Sequence, residues 1–257
     1  MSSQLRRRVN QRHPIVPFLC GCLLTYLATY SSRKSCPTQE GSSIKKTSSE
    51  TSVFKGKQYW KDGFTQNVKT LYETPFARFQ LHSVKLENGK IVDDWMWFDE
   101  ADNINVLVEK ESTENPNWPP TYVVLKQKKY GLPETTLAAV GGLIEPGEQP
   151  LDAAKRELQE ELGLESPKWV PLGKYRAAAN RGGGTTYCFL ARKSTPIANA
   201  QDSKGTDVAV GESEKQDLVE LSKDDLIDAL LKGKFQEIKW TATIALSIIK
   251  TTHHFNR

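Results

Sequence analysis

Cysteine is scarce in this chain of 257 residues, which has four. Cys20 and Cys22 fall inside one apolar run, Cys36 lies just past it and Cys188 stands far downstream. That spacing gives neither a disulfide framework nor a zinc site. Histidine is as rare: His13, His82, His253 and His254 sit in no metal-ligand pattern, and the last two read as a frayed terminus. A bulk excess of one charge is missing too. The 35 basic and 31 acidic residues leave a formal charge of +4, largely from the N-terminus, and this does not argue for a nucleic-acid partner. What remains, at 38% hydrophobic content, suffices for one good core and an appended segment.

The appendage comes first. Arg6, Arg7, Arg8 and Arg12 occur with no acid among them, and Pro14 to Tyr30 is then free of charge. Residues 1–30 therefore read as a targeting or anchoring segment. The run is short of the ~20 residues that span a bilayer, long for a signal-peptide core, and lacks a good small-x-small end. A membrane anchor is the reading adopted, with an organelle presequence or a cleaved secretory signal as the alternatives. Cys20 and Cys22 either pack in that run or carry acyl groups. Arg33 and Lys34 follow, so the orientation rule only weakly prefers a cytosolic N-terminus. Residues 31–52, rich in Ser, Thr and Lys, read as a flexible linker. Residues 53–257 remain for the main domain.

Within that domain one stretch stands out, Gly142 to Leu164. Pro150 suits the first turn of a helix and Gly163 its C-terminal cap, with good helix formers between. Leu151, Ala154, Leu158 and Leu162 recur at helical spacing and predict a buried face. Glu157, Glu160 and Glu161 share another face, where each like-charged pair costs roughly 0.2–0.5 kcal/mol. Two readings follow: a solvated acidic face, or oxygen ligands for Mg2+ or Mn2+, with waters and substrate phosphates completing the shell. Lys155 and Arg156 supply part of the compensating charge.

The full pattern is Gly142, five residues, Glu148, seven residues, then Arg156-Glu157-Leu158-Gln159-Glu160-Glu161-Leu162-Gly163-Leu164. It resembles the Nudix box at every defining position. The resemblance implies a Nudix α/β/α sandwich with a mixed sheet, the box helix on one side and the C-terminal helices on the other. It also implies a hydrolase that splits the pyrophosphate of a nucleoside diphosphate linked to another group. Carried over by residue, Glu157, Glu160 and Glu161 bind metal, Gly142 offers it a backbone carbonyl, Arg156 holds the carboxylates through paired hydrogen bonds, and Glu148 supports the site.

The flanking sequence supplies the remaining candidates. Val53 to Thr74 reads as an entry segment without chemistry. The strand pattern around Phe76 to Leu86, the Asn88-Gly89 turn and Lys90 to Phe98 predict a hairpin. In Nudix enzymes acting on ADP-ribose-like substrates a similar sheet helps to build a dimer and the nucleoside pocket. Trp95 and Trp97 either stack an adenine there or form a packed face. Strands are expected at Ile104 to Val108, Tyr122 to Gln127, Thr136 to Val140, Trp169 to Ala178 and Thr185 to Ala191. Gln127-Lys128-Lys129-Tyr130 is similar to the Gln-Tyr-Arg segment of ADP-ribose pyrophosphatases, with Lys for Arg, so Gln127 and Lys128 or Lys129 are candidate substrate contacts. Arg176 and Arg181, beside Gly182-Gly183-Gly184, are candidate phosphate ligands, unless the glycines only make a flexible hairpin. Asn180 stands where ADP-ribose pyrophosphatases usually have a proline.

Downstream, Gly211-Glu212-Ser213-Glu214 precedes a strand at Leu218 to Leu221, in a loop where such enzymes often place a further glutamate. Glu214 is the candidate base and Glu212 the second choice, against a solvated acidic loop. Ser222 with Asp225 predicts a helix start, closing near Gly233, and Lys239 to Thr252 a last helix. The implied substrate is ADP-ribose or another ADP-sugar, yielding AMP and sugar phosphate. The alternatives are a dinucleotide or coenzyme A, or a Nudix-like domain that only binds nucleotide. A homodimer is implied by the resemblance alone.

Overall fold

The computed structural model describes residues 53–112, 114–115, 117–197 and 216–253. The segment 1–30, the linker and both Glu212 and Glu214 lie outside the described residues, as does His254. Among the described residues no helix is long and apolar enough to cross a membrane.

The predicted hairpin is present and gains a third strand. β1 (Thr65–Glu73), β2 (Ala77–Lys85) and β3 (Ile91–Glu100) run antiparallel in succession. β1 falls in the stretch that reads as an entry segment, for which no strand is predicted. It is an edge strand, largely exposed, and its sequence shows no apolar alternation. On one face of the three strands Gln80 lies opposite Trp97 and Arg78 opposite Asp99. There Arg78 donates twice to Asp99 Oδ2, Trp97 Nε1–H donates to Asp99 Oδ1 at 2.8 Å, and His82 stacks on Trp97. Trp97 thus belongs to a packed face. Trp95 is half-buried and gives its N–H to Asn180 O at 2.7 Å.

β4 (Asn103–Lys110) is the centre of the sheet. Seven consecutive residues from Asn103 to Glu109 are buried, and because neighbouring strand residues point to opposite faces, both faces must be covered. β10 (Gly182–Pro196) lies parallel to β3 and β4, and β9 (Lys168–Ala178) returns antiparallel along it, so the sheet is mixed as expected. A two-residue strand, β8 (Leu164–Glu165), also joins β10. Gly182 and Gly184 have a packing reason that neither sequence reading foresaw. A Cβ on Gly182 would overlap the Phe98 carbonyl, and one on Gly184 the Ala101 carbonyl. Only glycine lets β10 lie this close to the β3–β4 connection.

β5 (Thr121–Gln127) pairs with β4 only from Val108 to Lys110, and with β11 (Asp217–Leu221) on its other side. Beyond that the two strands part. The stretch expected as one strand, Thr136 to Val140, is two: β6 (Thr136–Ala138) bonds to β5, whereas β7 (Val140–Leu143) crosses over and bonds to β4. The box helix α1 (Pro150–Leu162) packs on β4, β7 and β8. Pro150 opens it and Gly163 closes it in the left-handed conformation, with its N–H on Gln159 O. Its buried residues are Ala153, Ala154 and Leu158, with Leu151 and Leu162 half-buried beside them. Ser222 caps α2 (Lys223–Leu231) as predicted, accepting from Asp225 N–H at 3.1 Å. α3 (Ile238–His253) packs on β4, β9 and β10.

Candidate active site

Crossing from β5 to β4 puts Gly141 and Gly142 directly over the acidic side of α1. A Cβ on Gly142 would overlap the Glu157 carboxylate, so glycine is required for that carboxylate to lie against the β7 backbone. The Glu161 carboxylate takes the Gly141 N–H as a hydrogen bond. Glu160, at the next helical position outward, is exposed.

Arg156 organises the group. Its Nε donates to Glu148 Oε1 at 3.0 Å and one NH2 hydrogen to Glu148 Oε2 at 3.1 Å. NH1 donates to Glu157 Oε1 at 2.7 Å and to Glu160 Oε2 at 3.1 Å, and NH2 also reaches Leu143 O at 3.0 Å. A guanidinium has five N–H donors, and all five are used. Glu148 in turn takes the Glu145 N–H at 2.9 Å, which fixes the loop ahead of the helix. The paired bonds from Arg156 hold the Glu148 carboxyl below the usual range.

Burial acts the other way on the helix carboxylates. Glu157 is raised by desolvation, partly offset by Arg156. Glu161 is pushed up to about 7, by burial first and then by the Glu157 charge, against the pull of the Gly141 N–H and Lys129. Its Oε2 is buried and has no protein partner, which costs about 1–3 kcal/mol unless a ligand meets it.

Among the described residues no three acidic, histidine or cysteine side chains converge on one point, because Arg156 draws Glu157 and Glu160 to itself. The donor set nevertheless fits a hard divalent cation. It consists of oxygens only, carries net negative charge against one guanidinium, and includes the unpartnered Oε2 of Glu161 beside a glycine backbone. Glu157, Glu160, Glu161 and the Gly142 carbonyl are the groups that would hold it.

Where β4 and β5 part, a cavity of about 220 Å³ opens beside Glu161 and Gly142. Gln127 is one of its buried walls, and Lys129 lies on it, whereas Lys128 is exposed and outside it. Two asparagines that the sequence analysis passed over, Asn103 and Asn105, line it from β4, as do Lys239 and Trp240 from the first turn of α3. The connection leading into that turn is tied down by Thr136, whose hydroxyl donates to Lys234 O at 3.0 Å and accepts from Gln236 N–H at 3.1 Å. The sequence signal for the asparagines was their period of two in an otherwise apolar strand.

The two arginines near the glycines are placed apart from this cluster. Arg176 lies 4.0 Å over the Tyr59 ring and meets Thr185 Oγ1 at 3.5 Å, and Arg181 is exposed in the β9–β10 turn. Tyr59 itself donates to Asp102 Oδ2 at 2.6 Å, and Asp102 Oδ1 accepts the Thr185 N–H at 2.8 Å. The backbone of Asp102 takes the Ile144 N–H, in the loop that leaves β7, at 2.9 Å. The entry segment therefore reaches the frame of the site, a connection absent from the sequence reading.

Residues 99–242 match the NUDIX domain family. No curated protein sequence matches the chain. The crystal structure of an ADP compounds hydrolase aligns with a TM-score of 0.55 at 19% identity, covering 74% of this chain and 94% of that one. At this identity the likeness speaks for the fold. With the family match running over more than half of its length, the chain belongs to the NUDIX domain family.

Proposed function

We propose that the protein is a metal-dependent hydrolase of nucleoside diphosphate compounds, with ADP-ribose or another ADP-sugar as substrate and AMP plus sugar phosphate as products. The observation that carries this reading is the complete box held by one saturated guanidinium, with the buried Glu161 oxygen left over for a ligand. The fold shared with an ADP compounds hydrolase supports the substrate class. Lys for Arg after β5, and Asn180 in place of the usual proline, leave the sugar open.

Mg2+, or Mn2+ in its place, held by Glu157, Glu160, Glu161 and the Gly142 carbonyl, would supply positive charge to offset the pyrophosphate and to activate water. The residues of the chain hold the geometry. Arg156 keeps the carboxylates of Glu157 and Glu160 from swinging apart, Gly142 lets backbone approach them, and the β4–β5 opening receives the substrate beside Glu161. Arg156 has no free donor, so it positions carboxylates and leaves phosphate to other groups, for which Lys129, Arg176 and Arg181 are the candidates. A base for the attacking water is assigned to Glu214, with Glu212 second.

Two further readings accompany this one. The exposed row of Tyr72, Phe79 and Met96 on the outer face of β1–β3, at 67, 41 and 49% accessibility, supports a homodimer through that face. The segment 1–30 is assigned to membrane anchoring, with organelle targeting or secretion as the other outcomes of fractionation and N-terminal sequencing.

The test of function is hydrolysis of ADP-ribose, ADP-glucose, NADH, diadenosine polyphosphates and coenzyme A by the full chain, with and without Mg2+, products read by mass. AMP and a sugar phosphate, from ADP-sugars and only with metal, is the expected result. Turnover confined to dinucleotides or coenzyme A would replace the substrate, and nucleotide binding without any turnover would replace the enzyme by a sensor.

A further inference from the structure

Three of the four buried side-chain oxygens without a protein partner among the described residues gather at one place, the fourth being Ser194 Oγ on β10. Asn105 Oδ1, Gln127 Oε1 and Glu161 Oε2 are all buried and unpartnered, and all three residues line the cavity between β4 and β5. Asn105 is 3% and Gln127 4% exposed, so both amides are committed to that space. Glu237, paired with Lys239 at 2.8 Å, adds a further carboxylate to its wall. On this wall the carboxylates of Glu161 and Glu237 oppose the charge of a phosphate, whereas Lys129 and Lys239, which also line the cavity, can meet one elsewhere on it. Its volume of about 220 Å³ falls below the roughly 300–1,000 Å³ of pockets that enclose a whole drug-sized ligand. It therefore takes one part of a substrate.

Hydroxyl groups match these walls best. A hydroxyl donates once and accepts twice, so it satisfies an Asn or Gln amide whichever way that amide is turned. A small ring carrying several hydroxyls brings donors for Asn105, Gln127 and Glu237 alike. A purine can pair with one such amide through an amino group and a ring nitrogen, but it brings fewer donors than a ring carrying several hydroxyls.

Resting on the hydrolase reading above, we propose that this cavity is the subsite for the sugar half of the substrate, with Asn105 and Gln127 as specificity-determining residues that accept hydrogen bonds from its hydroxyls. The sugar then enters the wedge between β4 and β5 while its phosphate stays at the mouth, beside Glu161 and Gly142. The backbone makes the wedge and the amides read its contents.

The test is calorimetric titration of the full chain, in the presence of Mg2+, with ribose 5-phosphate and separately with inorganic phosphate. Neither ligand has a pyrophosphate to hydrolyse. The sugar phosphate is expected to bind about tenfold or more tightly than phosphate, and Asn105→Leu or Gln127→Met to remove most of that ratio while phosphate affinity stays within about twofold. If Asn105→Leu does not fold, Gln127→Met carries the test, being unbranched and of similar length. Equal affinities in the wild type, or a ratio that survives the substitutions, would overturn the proposal and leave the cavity to water. A sugar increment in a chain that hydrolyses no nucleoside diphosphate compound would overturn the proposed function and keep the subsite. Turnover without the increment would do the reverse.

Discussion

Arg156 grips Glu148 side-on, Nε to Oε1 at 3.0 Å and NH2 to Oε2 at 3.1 Å, and uses its remaining donors on Glu157, Glu160 and the Leu143 carbonyl. A lysine has three donors on a single nitrogen and cannot span these acceptors. Arg156→Lys should weaken Mg2+ affinity and turnover by roughly 10–100-fold, as loss of a group that orients metal ligands does. Mg2+ titration of the hydrolysis rate checks this. An unchanged Mg2+ midpoint would show that the carboxylates hold themselves.

Gly142→Ala places a methyl group where the Glu157 carboxylate lies. Either the carboxylate or β7 must shift, and the change should cost about 1–3 kcal/mol of stability with a loss of turnover on the order of 10-fold or more. Thermal unfolding and kcat, measured on the same preparation, separate the two effects. Full activity would mean that Glu157 acts from another position.

Glu161 gives a pH dependence with a defined sign. Its folded-state pKa is raised from 4.5 to about 7, chiefly by burial. Metal must find the carboxylate ionised, so Mg2+ affinity should rise by about tenfold per pH unit below that value and level off above it. In metal-free protein the same shift favours the folded state fully below 4.5, and the contribution is lost as pH rises through about 7. Glu161→Gln should remove this contribution from both measurements.

His82 acts in the opposite sense. Burial lowers its pKa below 6.5, the Asp99 charge pulling it up and Arg78 pushing it further down. The folded state keeps the ring neutral, so this contribution is complete above 6.5 and is lost as pH falls from there through the folded pKa. Metal-free protein should therefore be less stable at pH 5.5 than the Glu161 effect alone would give, and His82→Gln should remove that deficit. Unfolding midpoints from pH 5 to 8 for the two variants separate the opposed effects.

Asp102→Ala leaves the Thr185 N–H and the Tyr59 hydroxyl without their acceptor. A cost of about 2–4 kcal/mol is expected from two stranded donors. Tyr59→Phe removes one donor and its own hydroxyl together and should cost less. A reversed order in denaturant midpoints would contradict the assigned bonds.

The box was legible because its requirements are local. Pro150, Gly163 and the three- and four-residue spacings specify a helix within a few turns, and Arg156 lies within one helical turn of Glu157 and Glu160. Ala153 is buried as well, although it stands off the three- and four-residue spacing that relates Leu151, Ala154, Leu158 and Leu162. The stretch Thr136 to Val140 was read as one strand, since nothing within it says that Thr136 bonds to β5 and Val140 to β4. That crossing depends on partners far along the chain, and so does the cavity it opens. Asn103 and Asn105 look anomalous in an apolar strand, but only the parting of the sheet shows what they face.

The carboxylate of Asp102 also bears on how such a module is inherited. The residues shared with the family begin at Asp99, yet Tyr59 and Lys57, some forty positions earlier, fasten to Asp102, and the Phe54 N–H reaches Glu73 at 2.7 Å. A lineage that exchanged its N-terminal portion at the edge of the shared region would strand a buried charge at the back of its own active-site loop. Among the described residues, then, the three-stranded hairpin and its leading strap should travel with the box as one heritable piece.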